Sequence, residues 1–238
     1  MKVIAQSDIG MVRKENQDSF WVHQVDNDTV IAVVCDGMGG ARGGQQASAM
    51  AVEAVRKIFL TLLQTEKIDV VFQQAVELSN RYVYRKAYED PDLTGMGTTL
   101  VLALVKGGVA YFANVGDSRG YHIKNGSIKQ ITKDHSAVQE LVDSGHITER
   151  QAKLHPNKNI ITRAIGIEEE VAYDFYQVEV EVGDVLVLCS DGLSNHVDEN
   201  EIQFEISGGD FEHLAKRLVG LANSRGGEDN ITVVAVQI

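Results

Sequence analysis

Two very short links between strand-like segments limit the possible folds more than any other feature of this chain. The segments and links are, in order, 98–105, Lys106-Gly107-Gly108, 109–115, 120–124, Asn125-Gly126 and 127–132. Links of two or three residues join antiparallel neighbours, whereas parallel strands need a crossover of a dozen or more residues. The middle of the chain is therefore predicted to form antiparallel sheet.

Helical and strand patterns flank this central region. Apolar residues recur every three or four positions over 47–62 and 71–83, which predicts two consecutive helices, and again over 211–221, where Asp210 is the expected N-cap. Further strands are predicted at 20–25, 29–35, 178–182, 185–189 and 230–238, with Gly183-Asp184 closing a hairpin between 178–182 and 185–189. Runs of strands with paired helices predict an α+β fold built on antiparallel sheet.

The sequence predicts one domain over residues 1–238. It has 2 prolines and no Ser-, Gly- or Pro-rich tract that would mark a linker. A polar stretch at about 136–166 shows short helical pieces and no strong strand pattern. We interpret this stretch as a mobile flap over a site, because long irregular segments in a compact domain are commonly functional.

The charge and the cysteine content of the sequence restrict its expected binding partners and its expected cellular compartment. The 34 Asp and Glu residues outnumber the 22 Lys and Arg residues, which gives a formal net charge of −12 and argues against nucleic acid or anionic lipid as the main partner. No apolar run reaches the roughly 20 residues of a membrane span, and the N-terminus lacks the apolar core of a secretory signal. With 2 cysteines, a disulfide framework is not expected, which favours the cytoplasm.

Two apolar segments each end in an Asp-Gly pair, which suggests a functional site. Val33-Val34-Cys35 runs into Asp36-Gly37, and Leu188-Cys189-Ser190 runs into Asp191-Gly192. Asp229 stands at the start of another predicted strand, so an antiparallel arrangement brings all three carboxylates to one edge. Any single Asp-Gly at a strand end is ordinary turn chemistry, but the repeated pattern favours a shared site.

Two further aspartates are candidates for the same edge. Asp117 follows the segment 109–115, and Asp18 lies beside the first strand. Clustered carboxylates repel one another unless cations or protons neutralise them. Oxygen ligands without a matching set of His or Cys indicate Mg²⁺ or Mn²⁺ rather than Zn²⁺.

A glycine-rich loop is predicted at 37–44, between a strand and a helix. Its spacing does not fit a nucleotide-binding G-x-G-x-x-G turn, because Arg42 occupies a required glycine position. The glycines either let backbone carbonyls approach a cation, with Gly37 as the first candidate, or form a tight turn. Arg13 is a candidate for gripping two phosphate oxygens, although most arginines are surface charges.

Taken together, these motifs resemble the ordered motif series of the metal-dependent protein phosphatases of the 2C type. The resemblance extends from about residue 6 to the C-terminus and includes Arg13-x-x-Asn16-Gln17-Asp18, Asp36-Gly37-Met38-Gly39-Gly40, Gly97-Thr98-Thr99, Val115-Gly116-Asp117-Ser118-Arg119, Asp134-His135-Ser136, Ser190-Asp191-Gly192-Leu193 and Asp229-Asn230-Ile231-Thr232. The compact length is similar to that of stand-alone bacterial serine/threonine phosphatases. The implied fold is a β-sandwich flanked by helix pairs on both faces, in four α-β-β-α layers.

The resemblance implies a binuclear Mn²⁺ or Mg²⁺ centre that activates water to hydrolyse phosphoserine and phosphothreonine, reversing Ser/Thr kinase signalling. Asp36 would bridge two metal ions, and the Gly37 carbonyl would ligate one of them. Asp191 and Asp229 would complete the other, and Asp117 would share a third, weaker ion with Asp191.

Substrate contacts follow from the same resemblance. Arg13 would bind the substrate phosphate, and Asp18 would hold metal-bound water. The flap would contribute contacts from Ser136, His146, Arg150 and Arg163. The expected partners are phosphorylated proteins, including Ser/Thr kinases and their targets, and the chain is expected to act as a monomer.

The chain departs from the family pattern at positions where relatives carry protonating or acidic groups. Many bacterial members have His at the position of Ala41 and Glu at that of Gln45, and members from higher organisms have His at that of Met38. His135, His146 and His155 are conceivable substitutes, but surface roles are the more common use of such residues. No general acid is assigned.

Two other functions compete with the phosphatase. A pseudophosphatase would keep the fold for binding only, but the retained Asp36, Asp191 and Asp229 argue against lost activity. A hydrolase of nucleotides or small phosphates is disfavoured because no base-stacking aromatic pair lies near the motifs. Cys35 and Cys189 carry no C-x₅-R phosphate loop and are interpreted as core residues rather than nucleophiles.

Overall fold

The strands form two antiparallel sheets that pack face to face. The computed structural model describes the backbone of residues 1–238 and all side chains except those of Ala41 and Arg42. The strands are β1 (Lys2–Asp8), β2 (Asp18–Gln24), β3 (Thr29–Met38), β4 (Gly97–Thr98), β5 (Leu100–Lys106), β6 (Val109–Val115), β7 (Arg119–Lys124), β8 (Ser127–Gln130), β9 (Asp174–Glu179), β10 (Val185–Cys189) and β11 (Ile231–Gln237). One sheet has the order β1-β11-β10-β7-β8, and the other β2-β3-β5-β6-β9 with β4 beside β3.

Helices cover the outer face of each sheet. The helices of the described structure are α1 (Gly40–Leu62), α2 (Ile68–Glu89), α3 (Ala137–Asp143), α4 (Glu149–Lys153), α5 (Asp191–Ser194), α6 (Glu199–Ser207) and α7 (Leu214–Ser224), with 3₁₀ turns at Pro91–Leu93 and Phe211–His213; α3 and α4 belong to the segment 136–166. Apolar residues of α1 and α2 pack on the β2–β9 sheet, and those of α6 and α7 on the β1–β8 sheet. The predicted α+β fold, with four α-β-β-α layers, is confirmed.

The continuous apolar runs of the central strands follow from this layering. In β3, Ile31 and Val33 face the core under α1 and α2, while Ala32 and Val34 face the core between the sheets. Strand β10 is divided in the same way, since Val187 faces α7 and alternate residues face the other sheet. A strand buried on both faces has no polar side, so its sequence shows no alternation.

One predicted hairpin is wrong. The strand expected at 178–182 lies earlier, as β9, and pairs with β6 in one sheet, whereas β10 pairs with β7 and β11 in the other. The residues that join β9 to β10, including Gly183 and Asp184, instead cross from one sheet to the other. They are tied to the C-terminus, because the Gly183 N–H donates to the Ile238 carbonyl (3.0 Å) and the Ile238 N–H to the Asp184 carbonyl (2.9 Å).

The prediction of a loop at the glycine-rich segment 37–44 is also wrong. Strand β3 continues to Met38 and α1 begins at Gly40, so strand and helix are separated by Gly39 alone. Gly39 has φ +121°, a backbone conformation that glycine adopts without steric cost. The abrupt change from strand to helix places the N-terminal end of α1 beside the strand end that carries Asp36.

Other boundaries differ for local reasons. The Asp210 side chain does not cap a helix; it contacts the His213 ring, and a 3₁₀ turn precedes α7. Strand β1 and helices α5 and α6 were not predicted. Helix α6 has a capping box between Asp198 and Glu201, a sequence signal of a helix start.

No helix in the described structure combines the length and the apolar character that a bilayer span requires.

The ion pair between Glu201 and Arg225 ties α6 to the end of α7. Hydrogen bonds from the Arg225 guanidinium lower the pKa of Glu201 to about 2. The pair therefore adds stability above the unfolded-state pKa of glutamate, and that stability is lost as pH falls towards 2. We expect Arg225→Ala to lower the melting temperature at pH 7 more than at pH 2.5, measured by calorimetry. Arg56→Ala, which removes an exposed pair with Glu53, is the control and should change little.

Candidate metal centre

The predicted carboxylates meet at one end of the sandwich, but they come from both sheets. Asp36 lies near the end of β3, and Asp18, the first residue of β2, stands opposite it in register. From the other sheet, Asp191 lies two residues past the end of β10 and opens α5, while Asp229 lies two residues before β11, the antiparallel neighbour of β10. Asp117 lies in the link between β6 and β7, which joins the two sheets.

A cleft of about 590 Å³ opens over these acids. Four of them, Asp36, Asp117, Asp191 and Asp229, line it, and Asp18 is buried beside Asp36. The remaining lining residues are Arg13, Lys14, Glu15, Gln17, Gly37, Met38, Gly39, Gly40, Thr99, Asn159, Ile161 and Asn230.

The acids are held in an electrostatically unfavourable state. Burial, with repulsion from its neighbours, raises the pKa of Asp117 to about 8 and the pKa of Asp36 well above its ordinary value. Burial also raises the pKa of Asp18 to about 7, although hydrogen bonds from Thr232 and Ser190 oppose the shift. Burial and the Asp229 carboxylate raise the pKa of Asp191. A cluster of this kind is stabilised by protons or by cations.

The donor set fits a hard divalent cation. The Oδ1 atoms of Asp18 and Asp191 are buried and have no hydrogen-bond partner among the described residues. Among the described residues, no three acidic, His or Cys side chains are already arranged around one point as a preformed metal site. A cation held here would take carboxylate oxygens of this cluster, with backbone and water oxygens completing its shell, as Mg²⁺ and Mn²⁺ commonly do.

The backbone around Asp36 is firmly anchored. The Asp36 N–H donates to the Thr99 hydroxyl (2.9 Å), and the Asp36 carbonyl accepts from the Thr99 N–H (2.8 Å) and from the Thr98 hydroxyl (2.9 Å). These bonds satisfy the backbone and leave the carboxylate of Asp36 free to face the cleft. The Gly97-Thr98-Thr99 motif is thereby linked to the site.

Close packing explains why residue 37 is glycine. A Cβ atom there would lie 2.1 Å from the Gly44 carbonyl oxygen and 2.6 Å from that of Gln17. The end of β3 can approach the first turn of α1 only without this side chain. Helix packing thus accounts for the glycine, and ligation of a cation by its carbonyl stays a prediction.

Arg13 reaches the cleft from a half-exposed position. Its guanidinium Nη2 donates to Asp229 Oδ2 at 2.6 Å, so it neutralises one of the clustered carboxylates. The loop that carries it is held by Asn230, which donates to the carbonyls of Ile9 (2.9 Å) and Glu15 (3.0 Å) and accepts from the Gln17 N–H (2.8 Å).

None of the four flap residues proposed from the sequence lines the cleft. Ser136 is buried as the N-cap of α3, and His146 is exposed beside Ser144. Arg150 is exposed on α4, and Arg163 pairs with Asp174 (3.0 Å). The flap instead presents Asn159 and Ile161, which the sequence reasoning missed because neither belongs to a recognisable motif.

The histidines considered as proton donors lie elsewhere. His135 is buried and its Nδ1 accepts from the Gly116 N–H (3.2 Å), while the described cleft lining contains no histidine. Met38 lines the cleft, and the side chain of Ala41 lies outside the described residues.

Both cysteines are free and fully buried in the described structure. Burial raises the pKa of the Cys189 thiol to about 12 and that of Cys35 further, so neither forms a thiolate at neutral pH. The packing role predicted for both residues agrees with this environment.

Comparisons with known proteins identify the family of this chain. The protein phosphatase 2C family model matches residues 12–231. The serine/threonine phosphatase stp of Listeria welshimeri is 41% identical over 236 residues, which cover 98% of this chain and 94% of that protein. The crystal structure of the Mycobacterium tuberculosis serine/threonine phosphatase PstP/Ppp is 35% identical and superposes with a TM-score of 0.92 over 100% of this chain and 98% of that one.

A further solved structure bears on the metal. The catalytic domain of the serine/threonine protein phosphatase PstP, in complex with two manganese ions, is 34% identical and superposes with a TM-score of 0.88. The alignment covers 99% of this chain and 97% of that one. The family model matches most of the length of this chain, and the curated relative aligns with it almost from end to end. This chain therefore belongs to the protein phosphatase 2C family.

Proposed function

We propose that the acidic cleft of this chain is the active site of its phosphatase activity. Family membership makes the chain a metal-dependent phosphatase of phosphoserine and phosphothreonine in proteins. The observation that carries the assignment to the cleft is the cluster of carboxylates beside Asp229, of which Asp18, Asp36, Asp117 and Asp191 have raised pKa values and need cations or protons to neutralise them.

Asp36, the Gly37 carbonyl, Asp191 and Asp229 would hold two ions, Mn²⁺ or Mg²⁺. Bound divalent cations supply a water of lowered pKa and screen the phosphate dianion. Asp36 lines the cleft together with Asp191 and Asp229 and would contribute oxygens to both ions. Asp117 and Asp191 would share a third ion, because repulsion between these two carboxylates is the main electrostatic cause of the raised pKa of Asp117.

Arg13 would exchange partners when substrate binds. Its present partner, Asp229, is a proposed ligand, and a cation there would take over the neutralisation of that carboxylate. The half-exposed guanidinium would then be free to grip two oxygens of a phosphate monoester. Charge balance in the cleft thus connects metal loading to phosphate binding.

Replacing Arg13 with lysine tests this role. We expect KM for a phosphothreonine peptide to rise about 10-fold while kcat changes little, since a point charge cannot reproduce the two-pronged grip. Lys14→Arg exchanges one positively charged side chain for another at the neighbouring residue of the cleft, and it is the control. A large fall in kcat with unchanged KM would contradict the assignment of Arg13 to substrate binding.

Partners and compartment follow as proposals from the same assignment. The substrates are phosphorylated proteins, and Ser/Thr kinases with their targets are the partners we propose. We also propose that the chain acts as a monomer. The two buried free thiols are compatible with a reducing compartment such as the cytoplasm.

Phosphate release from matched substrates tests the function. Phosphothreonine and phosphoserine peptides, a nucleoside triphosphate and a small aryl phosphate are compared with Mn²⁺, with Mg²⁺ and with EDTA. We expect cation-dependent release from both peptides and much slower release from the nucleotide. Faster hydrolysis of the nucleotide would favour the small-phosphate alternative, and peptide binding without release would favour a pseudophosphatase.

A further inference from the structure

Asn80 is a buried polar residue of α2 that holds the C-terminal end of the segment 136–166. Its side chain is 2% exposed. The Asn80 Oδ1 atom accepts from the Gly166 N–H (2.7 Å), and Nδ2 donates to the carbonyls of Glu168 and Glu169, both at 3.0 Å. One side chain thereby satisfies three backbone groups of a stretch that lies outside the helices and strands of the described structure.

The direction of these three hydrogen bonds is fixed by the backbone. A backbone N–H only donates and a carbonyl only accepts, so the amide oxygen of Asn80 must face Gly166 and its nitrogen must face the two carbonyls. An apolar residue at position 80 would leave all three backbone groups without this partner. Gly166 is buried, so water does not readily replace the acceptor that its N–H would lose.

Close packing fixes the same point of the chain. Gly166 has φ +89°, and a Cβ atom there would lie 2.2 Å from Val83 Cγ1 on α2. The backbone at Gly166 therefore lies against α2 at a distance that only glycine permits. Asn80 and Val83 are neighbours on one face of that helix, because residues three positions apart lie side by side. Packing and hydrogen bonds thus hold the end of the segment on the same helix face.

The chain just before Gly166 connects this anchor to the cleft. Ile165 is fully buried and exchanges two backbone hydrogen bonds with Thr98 (3.1 and 2.9 Å), whose hydroxyl donates to the Asp36 carbonyl. Ile161, a short stretch earlier, lines the cleft. The place of Ile161 in the cleft therefore depends on where the chain that follows it is held.

We propose that Asn80 is a positioning residue for the phosphorylated polypeptide substrate: from inside α2 it fixes the end of the segment 136–166, and so the place of Ile161 in the cleft. This inference rests on the proposed function, because it takes the cleft as the site of hydrolysis. Asn80 does not line the cleft, so it acts through the segment rather than by touching substrate. A peptide extends beyond its phosphate and would meet the segment, whereas a small aryl phosphate would depend on the cations and Arg13.

Asn80→Ala and Ser79→Ala separate positioning from stability. Both remove a buried polar group of α2, but the Ser79 hydroxyl donates to the carbonyls of Ala51 (3.2 Å) and Ala75 (2.7 Å) rather than to the segment. We expect Asn80→Ala to raise KM for a phosphothreonine peptide about 10-fold, because small displacements caused far from the chemistry can have effects of this size. KM for a small aryl phosphate, and kcat for both substrates, should change little. Ser79→Ala should leave both KM values unchanged.

Limited proteolysis reports on the segment itself, independently of activity. Trypsin cleaves after Lys and Arg, and the segment carries four such residues between positions 150 and 163. We expect faster cleavage there in Asn80→Ala than in Ser79→Ala or the wild type, because local opening exposes the backbone.

Gly166→Ala is a second variant of the anchor. Its added Cβ would push the chain away from Val83 while the side chains of α2 stay in place. The variant should raise KM for the peptide and accelerate the same tryptic cleavage. Circular dichroism confirms that each variant is folded, and if one of the two does not fold, the other decides.

The outcomes distinguish this inference from the proposed function. If the wild type hydrolyses phosphopeptides and a folded variant of the anchor keeps the wild-type KM for the peptide, Asn80 has a structural role only and the inference is overturned. An equal rise in KM for the aryl phosphate would also overturn it, because the effect would then lie at the phosphate site. If the wild-type chain releases no phosphate from the peptide, the proposed function fails and this inference fails with it.

Discussion

Replacing Asp36 with asparagine is expected to reduce phosphopeptide hydrolysis more than any other single change in the cleft. The substitution keeps the shape of the side chain and removes a charge that we place in contact with two cations. Loss of groups that only support a metal ligand costs about 10- to 100-fold, so loss of this ligand should exceed about 100-fold in kcat. Steady-state kinetics with a phosphothreonine peptide in Mn²⁺ measures the effect.

The same variant should be more stable than the wild type without metal. Burial and four neighbouring carboxylates raise the pKa of Asp36 well above its ordinary value, so its ionised form destabilises the metal-free fold. A neutral amide relieves this repulsion, and each kcal/mol gained raises the melting temperature by roughly 2–4 °C in a chain of this size. Asp28→Asn, at an exposed turn far from the cleft, is the control. Wild-type turnover in Asp36→Asn would refute the binuclear assignment.

Replacing Asp117 with alanine is expected to have the second largest effect. The change should leave two tightly held cations and empty a third, weaker site, because one of its two proposed carboxylates is gone. We expect kcat on phosphopeptides to fall more than about 10-fold, with excess Mn²⁺ restoring part of the loss. Calorimetric titration of Mn²⁺ beside peptide kinetics measures both quantities.

The contacts around Asp117 argue against a purely structural role as the cause of such a loss. Arg119, the nearest candidate partner, is engaged with Asp134, to which its Nη2 donates at 2.7 Å. Because burial and neighbouring carboxylates raise the pKa of Asp117 from 3.8 to about 8, this group lowers the stability of the metal-free fold as pH rises from 3.8 to about 8, and the loss is complete above that value. The variant should therefore melt higher than the wild type at pH 9 without metal. Full activity of Asp117→Ala at low Mn²⁺ would contradict the third site.

The carboxylate cluster was predictable because each acid adjoins an apolar strand. Asp36, Asp191 and Asp229 lie at strand ends whose burial forces those ends to one side of the sandwich, so local sequence carries the information. The sequence pattern did not reveal that Asp36 comes from the opposite sheet. A short link was interpreted as a hairpin, whereas the chain between β9 and β10 crosses from one sheet to the other.

The groups that support the acids were harder to predict. The Ser190 hydroxyl donates to Asp18 Oδ2 across 172 positions of the chain, and a hydroxyl beside a strand has no sequence signal that reports its partner. The segment 136–166 was predicted to be a flap from its irregular composition, but the residues it presents to the cleft, Asn159 and Ile161, depend on its tertiary contacts. Those contacts include the bridges of Ser136 to Ile161 and of Thr98 to Ile165.

Titration of Mn²⁺ into the metal-stripped chain, with phosphate release from a phosphothreonine peptide followed at each step, tests the central claim most directly. We expect no release in EDTA and a rise in activity as two Mn²⁺ bind per chain, with any further rise at higher Mn²⁺ lost in Asp117→Ala. Undiminished phosphate release from the metal-stripped wild-type chain would contradict it.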